Sequence, residues 1–223
     1  MTGSEVERVR TAYAARTDLD RYDLRRADQV AIHAARCRVW GAALRRLEVA
    51  PRRILEVGAG GGTVLRWLQE LEPDLCVGVD VQVDRLRTSQ QTNPAVAQVA
   101  GDGCRLPVRS GSVDVVALST VVSSILHPDV AGTLVAEVRR ALAPSGVVLW
   151  FDLFRDNPRN PDVRGVRARE VTALFPGFAI SLERVVLVPP LARRLERLPR
   201  VAATLEAVPL LRTHLAGALV APP

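Results

Sequence analysis

The chain has 223 residues and a mass of 24.2 kDa, which suits one α/β domain with a modest extension; no run of ~18 uninterrupted apolar residues occurs, so no membrane-spanning helix is indicated. Net charge is +6 and the pI is near 10.4, which raises nucleic acid as a partner, but all 30 basic residues are arginine and are dispersed along the chain. That pattern reads as composition bias and makes nucleic acid an unfavoured partner. Three cysteines, Cys37, Cys76 and Cys104, are odd in number and far apart; they support neither a disulfide framework nor a cysteine-based zinc site and fit a reducing compartment. With a polar start that lacks the apolar core of a signal peptide, the expected location is the cytoplasm.

Residues 1–50 read as helical. Val6, Val9, Tyr13 and Ala14 have helical spacing, as do Val30, Ala34, Cys37, Trp40 and Leu44; the link between them is polar and carries Tyr22, and His33 in the second helix reads as structural. Ile54, Leu55 and Val57 then form the apolar run of a strand buried on both faces. Gly58, Gly60, Gly61 and Gly62 crowd the following turn, where missing side chains let the backbone bend tightly and a ligand lie against it. From Thr63 the pattern is helical, with Val64, Leu65 and Leu68 on one face and Trp67 packing the helix.

A second strand, Leu75 to Asp80, ends in a carboxylate, and a helix follows from Val83 to Gln90. A third strand, Ala95 to Ala100, runs into Gly101-Asp102-Gly103. The fourth, Ser112 to Ser119, leads through Thr120 to His127. Pro128 and Asp129 start a helix, the first by its fixed φ and the second by complementing the helix dipole. Ala143 to Gly146 turn that helix into a fifth strand, Val147 to Leu153. A polar loop over 154–165 with two Asn-Pro pairs, a helix over 167–174 and a sixth strand from Ile180 to Val188 come next. Pro189 and Pro190 end that strand. A basic amphipathic helix interrupted at Pro199 spans Leu191 to Ala207, and a last strand runs from Leu210 to Val220, where His214 reads as structural or interfacial.

Spacing decides among the nucleotide motifs a glycine turn can serve. The dinucleotide pattern G-x-G-x-x-G would need a glycine at Thr63, and a P-loop needs a lysine. What fits is acidic-x-Gly-x-Gly-x-Gly, carried by Glu56, Gly58, Gly60 and Gly62. This resembles motif I of the class I S-adenosylmethionine-dependent methyltransferases, and the likeness extends over residues ~50–153. The 154–165 loop and the segment around His214 look like a bacterial subfamily of small methyltransferases, the type 11 grouping. The resemblance implies a doubly wound, Rossmann-like α/β sheet of seven strands over 51–223, with a helical insertion at about 190–208. It also implies that residues 1–50 form an N-terminal helical lid. Tyr13 and Tyr22 are candidates to cover the ligand or, equally, to anchor the helix pair.

The implied cofactor is S-adenosyl-L-methionine, with S-adenosyl-L-homocysteine as product. Asp80 offers two ionised oxygens to two ribose hydroxyls. By resemblance Asp102 meets the adenine amino group and its neighbours the ring. The expected cofactor set is Glu56, Gly58, Ala59, Gly60, Gly62, Asp80, Val81, Gly101, Asp102, Gly103, Ser119 and Thr120. The fourth strand's end lacks the Asn/Asp-Pro-Pro-aromatic motif of nucleic-acid amine methylation, the Pro-Cys pair of pyrimidine methylation and the aspartate of metal-dependent enzymes, so no metal is expected. Should the acceptor be an alcohol, His127 is the first candidate general base and Asp152 the second. The expected activity is methyl transfer to oxygen or nitrogen of a small molecule, such as a secondary metabolite. An RNA methyltransferase and a catalytically silent cofactor-binding module are the alternatives, and a homodimer is compatible with the chain.

Overall fold

The computed structural model describes residues 3–14, 26–158, 160–195 and 198–223; Tyr22 lies outside them. Seven strands form one sheet: β1 (Arg53–Val57), β2 (Leu75–Asp80), β3 (Ala97–Ala100), β4 (Val113–Ser119), β5 (Leu142–Leu153), β6 (Ala179–Leu187) and β7 (Arg212–Val220). Their order across the sheet is β3-β2-β1-β4-β5-β7-β6. β1 to β5 pair in parallel, whereas β7 runs antiparallel to both β5 and β6. The central strands are the apolar ones because both their faces are covered: Val115, Val116, Val148, Leu149 and Trp150 have no exposed surface. Strand order reverses between β1 and β4, and the crevice beyond the strand ends at such a switch point is where α/β sheets take ligands.

Two apolar layers flank the sheet. On one face α2 (Ala27–Arg46), α3 (Thr63–Gln69) and α4 (Val83–Thr92) cover Ile54, Val115, Ala117, Leu149, Phe151 and Ala216. On the other, α5 (Pro128–Ala141) and α6 (Ala168–Leu174) cover Leu55, Val57, Val116, Leu118, Val148 and Trp150. Alternation along each strand sorts residues between these layers, a fact that later decides which side chains reach the site. Trp40 anchors α2: it is fully buried, and its indole N–H donates to the Trp150 carbonyl at 3.0 Å. Truncating such a residue costs about 3–5 kcal/mol.

Several boundaries differ from the expected ones, among them β3, which begins at Ala97, and β7, which begins at Arg212. β5 starts at Leu142, because Ala143 to Gly146 form an irregularity inside the strand, with Ser145 at φ 57° and a register shift opposite Val113 and Val115. The helix expected over 191–207 is two short ones, α7 (Pro189–Arg194) and α8 (Pro199–Glu206). Pro189 and Pro190 begin α7 as well as ending β6, since proline's missing N–H is harmless in a first turn. Ahead of α2, helix α1 (Gly3–Ala14) lies over the switch-point crevice. No helix among the described residues is long and apolar enough to cross a membrane.

Candidate active site

A cavity of about 910 Å³ opens at the carboxyl edge of β1, β2, β4 and β5, with α1 and α2 over it. Its floor is the glycine turn. Gly58 and Gly60 have φ of 75° and 50°, a left-handed region that costs other residues about 1–2 kcal/mol. A methyl group on Gly58 would meet Val121 Cγ2 at 2.7 Å. The turn is stitched to β2 by Gly58 N–H and Ala59 N–H, which donate to the Val79 carbonyl at 2.7 and 3.1 Å. The Asp80 carboxylate accepts from Gly60 N–H at 2.7 Å through one oxygen and from Gln82 N–H at 2.8 Å through the other. Asp80 therefore ties β2 to the turn while lining the cavity.

Farther along, Asp102 accepts from Cys104 N–H at 2.8 Å. Gly103 has to be glycine because a Cβ there would meet Leu134 and Val57 at 2.9 and 3.1 Å. At the end of β4, Thr120 sits at φ 56° and donates its N–H to the Phe151 carbonyl at 2.7 Å. A threonine held in the left-handed region stores on the order of 1–3 kcal/mol, and such strain clusters at functional sites.

The lateral wall comes from α2 and the ends of β1, β4, β5 and β7. Glu56, Ser119, Phe151 and His214 share the sheet face that α2 covers. Arg36 descends from α2 onto them, 7% exposed. One of its terminal nitrogens donates to Ser119 Oγ at 3.0 Å, the other contacts His33 Nδ1 at 2.7 Å, and its Nε has no hydrogen-bond acceptor. Its guanidinium lies 5.3 Å from the Phe151 ring centre. Burial holds the Glu56 carboxyl well above the usual carboxylate range, partly offset by Arg36, and one Glu56 oxygen has no donor. Burial and Arg36 push His33 down to about 4 and His214 down to about 3, so both rings are neutral near pH 7. Burial raises all three cysteine thiols, to about 11 for Cys37 and about 12 for Cys76 and Cys104, which disfavours them as nucleophiles.

The roof is α1, clamped to the β4–α5 loop. Glu5, 1% exposed, accepts from Leu126 N–H at 2.9 Å and pairs with Arg8, which donates to the Ser124 carbonyl at 2.5 Å. The Ser124 hydroxyl donates to the Thr120 carbonyl at 3.0 Å, so the 2.8 Å contact between Tyr13 and Ser124 is made by the tyrosine O–H donating. Arg85 stacks 5.3 Å from the Tyr13 ring centre. Arg193 of α7 closes another side, donating to buried Asp28 of α2 at 3.0 Å.

Residues 55–150 match the type 11 family described as a methyltransferase domain. Together with the strand order and the glycine turn, this makes the chain similar to that family over residues 55–150. Among solved structures it is similar to the N-methyltransferase NodS from Bradyrhizobium japonicum WM9 in complex with S-adenosyl-L-homocysteine (TM-score 0.70, 14% identity, 97% of this chain and 99% of that one). It is also similar to Burkholderia thailandensis 1,6-didemethyltoxoflavin-N1-methyltransferase (0.69, 17%, 100% and 91%) and to YcgJ from Bacillus subtilis (0.61, 16%, 83% and 99%). No curated protein matches it in sequence.

Of the expected cofactor set, the fold brings Glu56, Gly58, Ala59, Gly60, Asp80, Val81, Gly101, Asp102, Gly103, Ser119 and Thr120 to the cavity wall. Gly62 is not on that wall. It is the left-handed N-cap just before α3 (φ 77°), where a side chain would collide with Ser89 of α4 and with Asn93 just past that helix. Neither candidate base lines the cavity. His127 caps α5 with 68% of its side chain exposed, 3.8 Å from Glu5. Asp152 points to the opposite layer, where it accepts from Ser123 N–H at 3.0 Å and from its neighbour Leu153 at 2.9 Å. Burial raises it to about 6, and its contact is to the loop carrying Ser124. Two further residues line the cavity: Arg36 of α2, which the sequence does not single out, and His214, expected to be structural or interfacial. The signal for Arg36 was its place three residues after His33 and four before Trp40, on the apolar face of the helix.

Proposed function

We propose that this protein is an S-adenosylmethionine-dependent methyltransferase acting on an oxygen or nitrogen of a small molecule, with oxygen ahead, and that the acceptor is of the secondary-metabolite kind. The observation that carries the reading is the continuity of one cavity, from the glycine turn and Asp80 at one end to Phe151, Leu153, Val188 and His214 at the other. The first end fits a ribose and adenine. Asp80 would hold the ribose hydroxyls and Asp102 the adenine amino group. Buried Arg36, facing only a raised Glu56, suits the carboxylate of an amino-acid moiety. Its second end is apolar and of small-molecule size.

Bound S-adenosylmethionine supplies an electrophilic methyl group, so the chain's own residues have to align an acceptor and exclude water. Strained Thr120 and the Ser119 hydroxyl frame the space between the two ends. The clamp of Glu5, Arg8 and Tyr13 keeps α1 over the cavity, which favours a sequestered reaction over a sensing module. Both N-methyltransferases named above keep nitrogen in play.

Calorimetric titration tests the reading with S-adenosylmethionine, S-adenosylhomocysteine and NAD, on the native protein and on Asp80→Ala. Micromolar binding of the first two, lost in the variant, is the expected result. Tight NAD binding without a response to the other two would overturn it.

A further inference from the structure

β7 runs antiparallel, and this places the start of that strand beside the end of β5: His214 pairs with Leu153 across the ladder. The His214 ring stacks on Phe151 with centres 4.7 Å apart and planes at 22°. The residue is 5% exposed and lines the cavity. Its two nitrogens have different surroundings. Nδ1 lies 2.9 Å from the hydroxyl of Thr213, and that same hydroxyl donates to the Val186 carbonyl at 3.3 Å. A hydroxyl has one proton, and a carbonyl can only accept. In the arrangement where that proton goes to Val186, the ring N–H at Nδ1 is the donor to Thr213. Nε2 is then the unprotonated nitrogen, and no described residue hydrogen-bonds to it.

The local backbone serves the same end. Val186 adopts φ 67°, and the β6–β7 ladder skips the position between the pairs Val185–His214 and Leu187–Arg212. A β-branched residue in that region is a genuine outlier. The strain sits at the carbonyl that fixes the tautomer, the arrangement by which many histidines present a defined nitrogen.

We infer that His214 is the general base of the methyl transfer, with Thr213 as its positioning residue, and that the acceptor is therefore a weakly acidic hydroxyl on an aromatic ring. The inference rests on the proposed function above and deepens it. Nε2 takes the hydroxyl proton and the oxygen's electron pair forms the new bond to the methyl carbon. The carbon–sulfur bond breaks with its pair remaining on sulfur, and the imidazolium returns its proton to water. An amine acceptor uses its own lone pair and gains little from such a base. A hydroxyl does gain, and the more so the closer the base's pKa lies to the working pH. Phe151, Leu153, Val163, Val188 and Pro189 supply the flat apolar surroundings an aromatic ring would occupy.

The test has an arm that needs no acceptor. With only three histidines in the chain, long-range ¹H–¹⁵N correlation on the labelled protein reads each ring. The expected signature for His214 is a protonated Nδ1 and a bare Nε2. Thr213→Val should shift it toward the other tautomer, and Thr213→Ser should restore it. A proton on Nε2 in the native protein overturns the inference. In the second arm, phenol, catechol and 4-nitrophenol are offered with S-adenosylmethionine, alongside aniline and benzylamine. Transfer to a phenol that falls about 100-fold or more in His214→Gln, with S-adenosylhomocysteine affinity unchanged, supports it. Transfer to the amines alone, or a variant within a few-fold of native, overturns it. Where no phenol is turned over, the ring-nitrogen arm decides. Failure to bind S-adenosylhomocysteine at all would instead remove the underlying reading of the cavity, and calorimetry on the same samples separates the two.

Discussion

Adjacent glycines of one motif should respond oppositely to the same substitution. Gly62 has φ 77°, and an added Cβ would lie 2.5 Å from Asn93 Nδ2 and closer still to Ser89 Oγ. Gly61 has no heavy atom within 4 Å of an added Cβ. For Gly62→Ala the left-handed backbone costs about 1–2 kcal/mol and the crowding of α3 against α4 about 1–3 kcal/mol. The sum, roughly 2–5 kcal/mol, corresponds to a Tm lower by roughly 4–20 °C in a domain of this size. Gly61→Ala should stay within about 0.5 kcal/mol of native. Thermal unfolding followed by circular dichroism measures both. Adding Ser89→Gly to Gly62→Ala should recover part of the crowding cost and none of the backbone cost, a coupling visible in a double-mutant cycle. If Gly61→Ala and Gly62→Ala melt together, the assignment of Gly62 to helix packing instead of ligand contact is wrong.

Arg36→Gln should weaken S-adenosylhomocysteine by about 10–100-fold, the worth of one charge-assisted hydrogen bond. 5′-Methylthioadenosine, which has no carboxylate, should bind as it does to the native protein; equal losses in calorimetry would dissociate Arg36 from the amino-acid end. Tyr13→Phe removes the α1 bond to Ser124 and should cost about 0.5–1.5 kcal/mol. Its readout is faster amide exchange in α1, and unchanged protection would show that the clamp does not rest on this bond. His214 is buried with its folded pKa depressed to about 3, so its contribution to stability is present above the unfolded value near 6.5 and is lost as pH falls through the folded one. Between pH 7 and pH 5 the native protein should therefore lose about 2 kcal/mol relative to His214→Gln, at ~1.4 kcal/mol per proton per pH unit below 6.5. Urea unfolding at the two pH values checks this, and a constant difference would mean that the ring is charged in the folded state.

The parallel core was legible because strands buried on both faces are written as continuous apolar runs, and because a left-handed turn at Gly58 and Gly60 leaves glycine as the workable residue. Asp80 and Asp102 followed from their place at strand ends. Spacing along the chain did not reveal which side of a strand end meets the cavity. Phe151 and Leu153 line it, whereas the Asp152 carboxylate is turned to the backbone N–H groups of Ser123 and Leu153. His127 was misplaced for another reason. It lies just past the loop that follows β4, and one turn of direction there sends its ring to the surface. His214 depended on a long-range fact, the antiparallel entry of β7 next to β5 after an insertion of two helices, and no local pattern encodes it.

That reversed strand also divides the cavity between two parts of the chain. The segment shared with the type 11 family ends at Trp150, whereas Leu153, Val163, Val188, Pro189, Thr213 and His214 all lie beyond it. The connection through α7 and α8 joins β6 to β7 at the far edge of the sheet, away from β1 and β2. On the proposed reading, Thr213 and His214 of the acceptor end belong to this flank, whereas Asp80 and Asp102 of the cofactor end belong to the matched segment.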